Sequence, residues 1–578
     1  MAGAFVLLVS TGCADPAPSP TGDETGGEPL FRDETTLVGI DFVHFNGMTG
    51  EMYMAENVGG GGALADFDGD GDLDLFLAQG AMLGPGRTLE DAVVPLRHPG
   101  PVVDRLYRND LTAGTDGSST LRFTDVTADS GLRSDGYGMG VATGDFDNDG
   151  RIDIYVTNFG SNGLFRNNGD GTFTDVTASA GADDARWSVP AAFFDYDNDG
   201  WLDLFVGNYV DFRIANHREC RSAGGYRDYC GPQVYAGVPD RLLRNRGDGT
   251  FEDTTISAGL GAANGRALGA VPADFNLDGW IDLYVANDGM ANHLWMNNGD
   301  GTFRDDALMS GCALNGDGAA EASMGVDAGD LDNDGDEDLV MSHIALETNT
   351  VYVNDGNAGF EDRSRPSGLG QPSWIYTGFG AGWLDFDNDS WLDFVVVNGA
   401  VATIEELHAA GDSYPFHQPN QLYRNTGGGL FEDVTARVGE AFASSEVSRG
   451  VAFGDVDNDG DTDFLVVNNN GPARLMINQL DNDNHWVGLR LIDPATSRDA
   501  FGAWVHVSGP GIDVWRRVRT ARSYAAASDP RLLIGLGTST DVSEIVVQWP
   551  GGTTESWSSV PADSYTTLVR GTGREAGE

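Results

Sequence analysis

Between residues 30 and 480 the apolar positions fall into short runs that recur in a fixed order of four. The first run is rich in Gly and Ala, as in Gly138 to Gly144 and Gly325 to Gly329, and a nine-residue acidic stretch follows it. The second alternates, as in Ile152 to Thr157 and Leu202 to Gly207. The third ends in Asn, at Asn109, Asn167, Asn245, Asn297, Asn354, Asn425 and Asn478. A Gly-rich turn such as Asn168-Gly169-Asp170-Gly171 then leads to Phe-x-Asp-x-Thr, with Gly eight residues beyond the Phe. Runs this short, bounded by Gly, Asn and Asp, predict β-strands. Small residues in the first run let strands crowd around an axis.

The fourth run follows an acidic stretch only six times, at Phe123, Phe173, Phe251, Phe303, Phe360 and Phe431. The seventh copy, Phe31-Arg32-Asp33-Glu34-Thr35 with Gly39, lies ahead of the first acidic stretch. A linear array has no reason to begin with the piece its last repeat lacks. A ring does, because that strand completes the last blade and removes the open edge. The expected fold is all-β: a seven-bladed β-propeller over residues 30–480, with strand 31–35 closing the last blade.

The acidic stretches place carboxylates at positions 1, 3, 5 and 9 and Gly at position 6, the oxygen-rich pattern of a hard-cation loop. Position 7 contributes its backbone carbonyl. The candidate ligands are Asp66, Asp68, Asp70, Asp72 and Asp74 in the first loop and Asp145, Asp147, Asp149, Arg151 and Asp153 in the second. The third and fourth hold Asp195, Asp197, Asp199, Trp201 and Asp203, and Asp274, Asn276, Asp278, Trp280 and Asp282. The last three hold Asp330, Asp332, Asp334, Asp336 and Asp338; Asp385, Asp387, Asp389, Trp391 and Asp393; and Asp455, Asp457, Asp459, Asp461 and Asp463. A flexible all-oxygen cage favours Ca2+ over Mg2+. About seven structural calcium sites are therefore expected, since identical, regularly spaced sites suit folding better than catalysis. An EF-hand is excluded, because position 12 is apolar (Leu77, Val156, Val206, Val285, Met341, Val396, Val466) and each loop runs into a strand.

These repeats resemble the FG-GAP/VCBS type of integrin α-subunit propellers and of many secreted bacterial proteins. The stretch carrying Asn484-His485-Trp486, Phe501-Gly502-Ala503, Gly535-Leu536-Gly537 and Trp549-Pro550-Gly551-Gly552 resembles the ASPIC/UnbV domain. The combination is similar to bacterial relatives of cartilage acidic protein. The resemblance implies a calcium-dependent extracellular protein. Two loops depart from the pattern, with Asn276 at position 3 of the fourth and Ser390 at position 6 of the sixth. These two are expected to bind calcium most weakly, one lacking a charge and the other placing a side chain on left-handed backbone.

Loop-to-loop spacings of 79, 50, 79, 56, 55 and 70 residues put insertions at 80–104, 211–240 and 399–420. All follow the second strand of their blades, so they should gather on one side of the ring, either to grip a ligand or to cap blade edges. Cys220 and Cys230 suggest a disulfide that pins the second insertion, and Cys312 reads as a buried thiol. Residues 481–575 predict a small antiparallel β domain, with runs at Trp486–Ile492, Trp504–Ser508, Arg516–Arg519, Leu532–Leu536, Ile545–Trp549 and Thr566–Val569.

Asp and Glu total 89 against 34 basic residues, all Arg, so Schiff-base lysine chemistry is excluded. Seven divalent cations would bring the formal charge of −55 to about −41, which disfavours nucleic acid as a partner. Residues 1–12 resemble a lipoprotein signal ending before Cys13, and 13–29 a flexible tether. The expected location is the cell envelope or the exterior, with membrane contact only through a lipid at Cys13.

The composite expectation is a surface-anchored module that binds a glycan or a protein, with Tyr226, Tyr229, Tyr235, Tyr414, Phe416 and His417 as sugar platforms or as loop anchors. The alternatives are a polysaccharide-acting lyase or other enzyme, using His343, Arg266 or Arg449 near the axis, and a scaffold within a surface or secondary-metabolite complex. No HExxH, GxSxG, CxxC or phosphate-loop motif is present. Arg246-Gly247-Asp248 spells an adhesive tripeptide, but it follows the turn template of Asn168-Gly169-Asp170.

Overall fold

The computed structural model describes residues 29–97, 101–114, 119–132, 136–222 and 224–575. The leader, Cys13 and nearly all of the tether lie outside them. Seven four-stranded antiparallel units repeat one plan. In blade 2 the strands Gly138–Gly144, Asp153–Asn158, Gly163–Asn167 and Phe173–Asp175 pair in chain order. The first strands of successive blades lie against one another all the way round, with Gly62–Ala65 of blade 1 meeting Ser448–Gly454 of blade 7. The fold is a closed seven-bladed β-propeller.

Blade 7 takes its outer strand from the other end of the chain. Phe31–Asp33 pairs with Arg474–Asn478, Phe31 opposite Asn478. Gly39 has φ 100°, and a Cβ there would stand 2.6 Å from the Phe123 carbonyl of blade 1. Gly439 of blade 6 lies under the Phe31 carbonyl in the same way. The N-terminal copy thus occupies the gap between blades 6 and 1.

The seven strand-ending Asn residues form a girdle around the ring. Asn167 donates its amide N–H to the Phe67 carbonyl of the preceding blade at 2.7 Å and to its own Ile152 carbonyl at 3.0 Å. Asn245, Asn297, Asn354, Asn425 and Asn478 reach Phe146, Tyr196, Phe275, Leu331 and Phe386 in the same way. Asn109 reaches Val456 and closes the circle. All seven are buried, so each satisfies carbonyls that water cannot reach. Asn167→Ala is expected to cost ~2 kcal/mol in urea unfolding, whereas Asn168→Ala on the exposed turn costs ~0.5 or less.

The C-terminal unit forms two packed sheets, with Val487, Leu489, Val505, Val507, Ile534 and Val547 between them. It is not wholly antiparallel. His485–Asp493 pairs antiparallel with Leu532–Gly537 but parallel with Tyr565–Val569, because the chain crosses to the second sheet and returns in the same direction. The run expected at Arg516–Arg519 is the strand Ile512–Arg517, and residues 518–519 lead out of the sheet.

From there the chain enters the propeller. Ala521–Arg522 pairs with Ala526–Ala527, which adds in parallel to Gly62–Ala63 of blade 1. Ser523 bridges Val326 of blade 5 and accepts the Ala381 N–H of blade 6, and Thr520 donates to the Thr143 carbonyl of blade 2. The hairpin therefore fills the central channel. Small side chains suit a space ringed by inner strands, and residues 520–529 supply Thr, Ala and Ser at all positions but Arg522, Tyr524 and Asp529. At the tip, Ser523 and Ala525 adopt φ 70° and 53°, which carries Tyr524 to the far end. There its hydroxyl donates to the Val58 carbonyl at 2.8 Å among Met139, Val189, Leu268, Met324 and Phe379.

Candidate metal centres and the insertion face

The acidic loops share one hydrogen-bond plan. In loop 2, Asp145 accepts the Asp149 and Gly150 N–H groups, and Asp149 accepts that of Arg151. Asp153 accepts the Phe146 N–H at 3.1 Å and the Asn167 N–H at 2.7 Å, tying the loop to the third strand. The position-3 carboxylate is the exception. One oxygen each of Asp147, Asp197, Asp332, Asp387 and Asp457 is buried without a hydrogen-bond partner among the described residues.

Single carboxylate oxygens of Asp145, Asp147 and Asp153 lie within 4.8 Å of one another. Those of Asp66, Asp68 and Asp70, of Asp195, Asp197 and Asp199, of Asp330, Asp332 and Asp338, and of Asp385, Asp387 and Asp393 do the same. Burial, followed by neighbouring carboxylates, pushes Asp385 and Asp457 up to about 8 and Asp336 to about 7. Burial also pushes Asp74 to about 8, although N–H donors oppose it. Convergent oxygens, orphaned buried lone pairs and carboxylates held toward neutrality fit a hard divalent cation, which would restore their charge.

Position 7 has a second role through its side chain. Arg151, Trp201, Trp280 and Trp391 pack over Gly169, Gly247, Gly299 and Gly427 of the following turn. In loops 3 and 6 a neighbouring guanidinium also reaches the acids: Arg244 pairs with Asp197 and Asp199, and Arg424 with Asp387 and Asp389.

Sequence reasoning missed position 4. Asn148, Asn198, Asn333, Asn388 and Asn458 all hold φ of 56–59°. The first four donate to the position-6 carbonyl of the next loop, at Gly200, Gly279, Ser390 and Gly460. The recurrent Asn-Asp-Gly was the available signal, since Asn tolerates left-handed backbone. Loop 4 puts Leu277 there, at φ 57° and exposed. Leu277→Asn is expected to stabilise the protein by ~1 kcal/mol in thermal unfolding. Ser390 carries its left-handed backbone, φ 80°, and keeps the N–H bond to Asp385 at 2.9 Å. Its hydroxyl donates to the Gly535 carbonyl.

The C-terminal domain sits on these loops. Tyr565 donates to Asp455, Arg531 reaches the Asn458 side chain and the Asp455 carbonyl, and Arg498 reaches Asn148 and the Gly200 carbonyl. Asn482 and Asn484 both donate to the Asp387 carbonyl.

The three insertions meet on the opposite side. Met48, Val94, Tyr229, Ala400, Tyr414, Phe416 and Val447 form one apolar cluster, and Thr403 donates to Asp228 across two insertions. The Cys220–Cys230 disulfide is present, and Cys312 is a buried thiol. Among the aromatics weighed as sugar platforms, Tyr229, Tyr235, Tyr414 and Phe416 are buried anchors, His417 is half-buried and Tyr226 is exposed against His408. Tyr229 bonds Glu56, whose buried carboxyl is pushed up to about 8 by desolvation. A groove of about 790 Å3 opens instead beside Phe159, Trp187 and Phe212, with Arg186 and Arg213 at its walls. In the Arg246-Gly247-Asp248 turn, Asp248 accepts from Thr250, as Asp170 does from Thr172.

The residues weighed for lyase chemistry have structural roles. Arg449 is fully buried, donates to the carbonyls of Asn57, Gly399, Ser448 and Ala400, and lies 3.9 Å from the Phe379 ring. His343 is buried beside Ser323, and desolvation lowers its pKa. Arg266 bonds the Asp288 and Tyr235 carbonyls. The three stand on different blades, and the hairpin occupies the axis between them.

A closed ring of repeats, each turning through an acidic loop and several of these able to hold a metal ion, defines a repeat propeller. More than half of the chain, over residues 66–156, 145–206, 229–285, 274–341 and 405–466, matches the FG-GAP-like repeat. Residues 493–575 match ASPIC and UnbV. The chain belongs to the FG-GAP-like repeat family and carries an ASPIC/UnbV domain. It is similar to cartilage acidic protein 1 of Homo sapiens, 26% identical over 361 residues, covering 57% of this chain and 49% of that protein. The Xenopus tropicalis protein is 29% identical over 178 residues, covering 28% and 25%. The chain thus spans about half or less of the length of these relatives. Among solved structures, an Agrocybe aegerita lectin recognising non-reducing terminal N-acetylglucosamine is 17% identical with a TM-score of 0.37, covering 68% of this chain and 93% of the lectin. YCF48 bound to D1 peptide is 8% identical with a TM-score of 0.36, covering 73% and 93%.

Proposed function

We propose that the protein is an exported, calcium-loaded binding module whose insertion face receives a glycan or protein ligand. The observation that carries this reading is the groove beside Phe159, Trp187 and Phe212. It sets the half-buried Phe159 ring, backed by the buried Trp187 and Phe212, beside the paired polar groups Asp184/Arg186 and Asp211/Arg213, the chemistry that suits a sugar's apolar face and hydroxyls. The all-oxygen donors of the acidic loops favour calcium over softer metals. The Cys220–Cys230 disulfide supports an oxidising compartment, in keeping with lipid attachment at Cys13. The test is a glycan array probed with calcium-loaded protein and with Phe159→Ala and Arg213→Ala variants of unchanged melting temperature. Retention lost in both variants supports the reading. Retention unchanged in both, or release of unsaturated products from the retained polysaccharide, overturns it.

A further inference from the structure

The junction between the C-terminal domain and the propeller holds more positive charge than its free carboxylates balance. Arg516, Arg517, Arg519, Arg522 and Arg531 all line one cavity of about 110 Å3 there, beside Trp504 and Trp515. Glu337 is shared by Arg517 and Arg519, Asp327 pairs with Arg522, and Asp529 with Arg531. Arg516 makes no close carboxylate ion pair among the described residues; its guanidinium donates to the Trp515 and Ser390 carbonyls, and the carboxylates that act on it from farther off, Asp385 and Asp330, open metal loops 6 and 5. Asp385 and Asp455 also line the space, but they open metal loops 6 and 7, and their oxygens accept loop N–H groups. Two buried donors, Nη2 of Arg517 and Nε of Arg522, have no hydrogen-bond partner among the described residues.

Buried guanidinium groups are costly unless paired, and their planar forks match oxyanions. At roughly 30 Å3 per water, the cavity has room for one tetrahedral anion and a water or two. We propose that this cavity is a binding site for a small oxyanion of the sulfate, phosphate or carboxylate class. The anion balances Arg516 and accepts the open donors of Arg517 and Arg522, joining the channel hairpin to the domain that supplies it.

The test is calorimetric titration of sulfate, then malonate, into the full-length calcium-loaded protein, with ionic strength held by chloride. One saturable site is expected for at least one of these anions. Affinity falls about tenfold or more in Arg516→Gln and in Arg522→Lys, which keeps the charge but removes Nε, and is unchanged in the exposed Arg365→Gln. The second variant and the wild-type titration decide the matter even if Arg516→Gln fails to fold. No saturable heat with either anion in the wild type, or equal affinity in Arg522→Lys, overturns the proposal.

Discussion

Chelation with excess EGTA is expected to lower the melting temperature by more than ~10 °C, and the loss should grow with pH. A cation at 100 times its dissociation constant stabilises by about 2.7 kcal/mol per site, so several sites together reach on the order of 10 kcal/mol. The pH dependence follows from the loop carboxylates. In the cation-free fold Asp385 and Asp457 lie at about 8 against an ordinary 3.8. The folded, cation-free chain then binds more protons than the unfolded chain across that interval. The contribution of these groups to its stability is complete below about pH 4 and is lost as pH rises through about 8. A bound cation displaces those protons, so occupancy strengthens over the same interval. Melting curves with calcium and with EGTA at pH 5, 6, 7 and 8 should diverge as pH rises. A constant separation, or none, would refute the cation's place in the loops.

Tyr524→Ala is expected to destabilise the whole protein by ~4 kcal/mol, and Tyr524→Phe by ~1 kcal/mol. Tyr524 is fully buried at the channel's end, its ring edge-on to Phe379 with centroids 4.9 Å apart. Truncation leaves a void bounded by strands of five blades that cannot collapse inward, because each is held by its neighbours. Urea unfolding followed by intrinsic fluorescence measures both variants. A single transition that moves as a unit is expected, since the hairpin bonds to the inner strands directly. An unchanged propeller transition in Tyr524→Ala would show that the hairpin is a passenger.

The ring was legible because its rules are local and repeated. The displaced Phe31 copy, the seven terminal Asn residues and the acidic loops each recur at fixed offsets, and the structure gives each repeat the same contacts. The hairpin was not legible. Thr520 to Ser528 occurs once, alternates weakly and is mostly small residues apart from Arg522 and Tyr524, so its composition matches a linker as well as a channel filling. The same ambiguity hid the groove, since Phe159, Trp187 and Phe212 lie at strand ends and in an insertion with no period to mark them. The inner-strand residues weighed for catalysis were ambiguous for the opposite reason. A buried Arg449 amid carbonyls is indistinguishable in sequence from a charge stabiliser.

Pairing Phe31 with Asn478 sets a timetable for synthesis. The leading ribbon emerges first and must wait, unzipped, while more than four hundred residues are made. Blades 1 to 6 can assemble as they appear, but ring closure carries the entropy of the longest loop in the domain. Until that moment the nascent chain presents two bare β edges, at the ribbon and at strand Arg474–Asn478. Aggregation and proteolysis should therefore concentrate in this late window, and a truncated chain lacking residues 29–35 should never leave it.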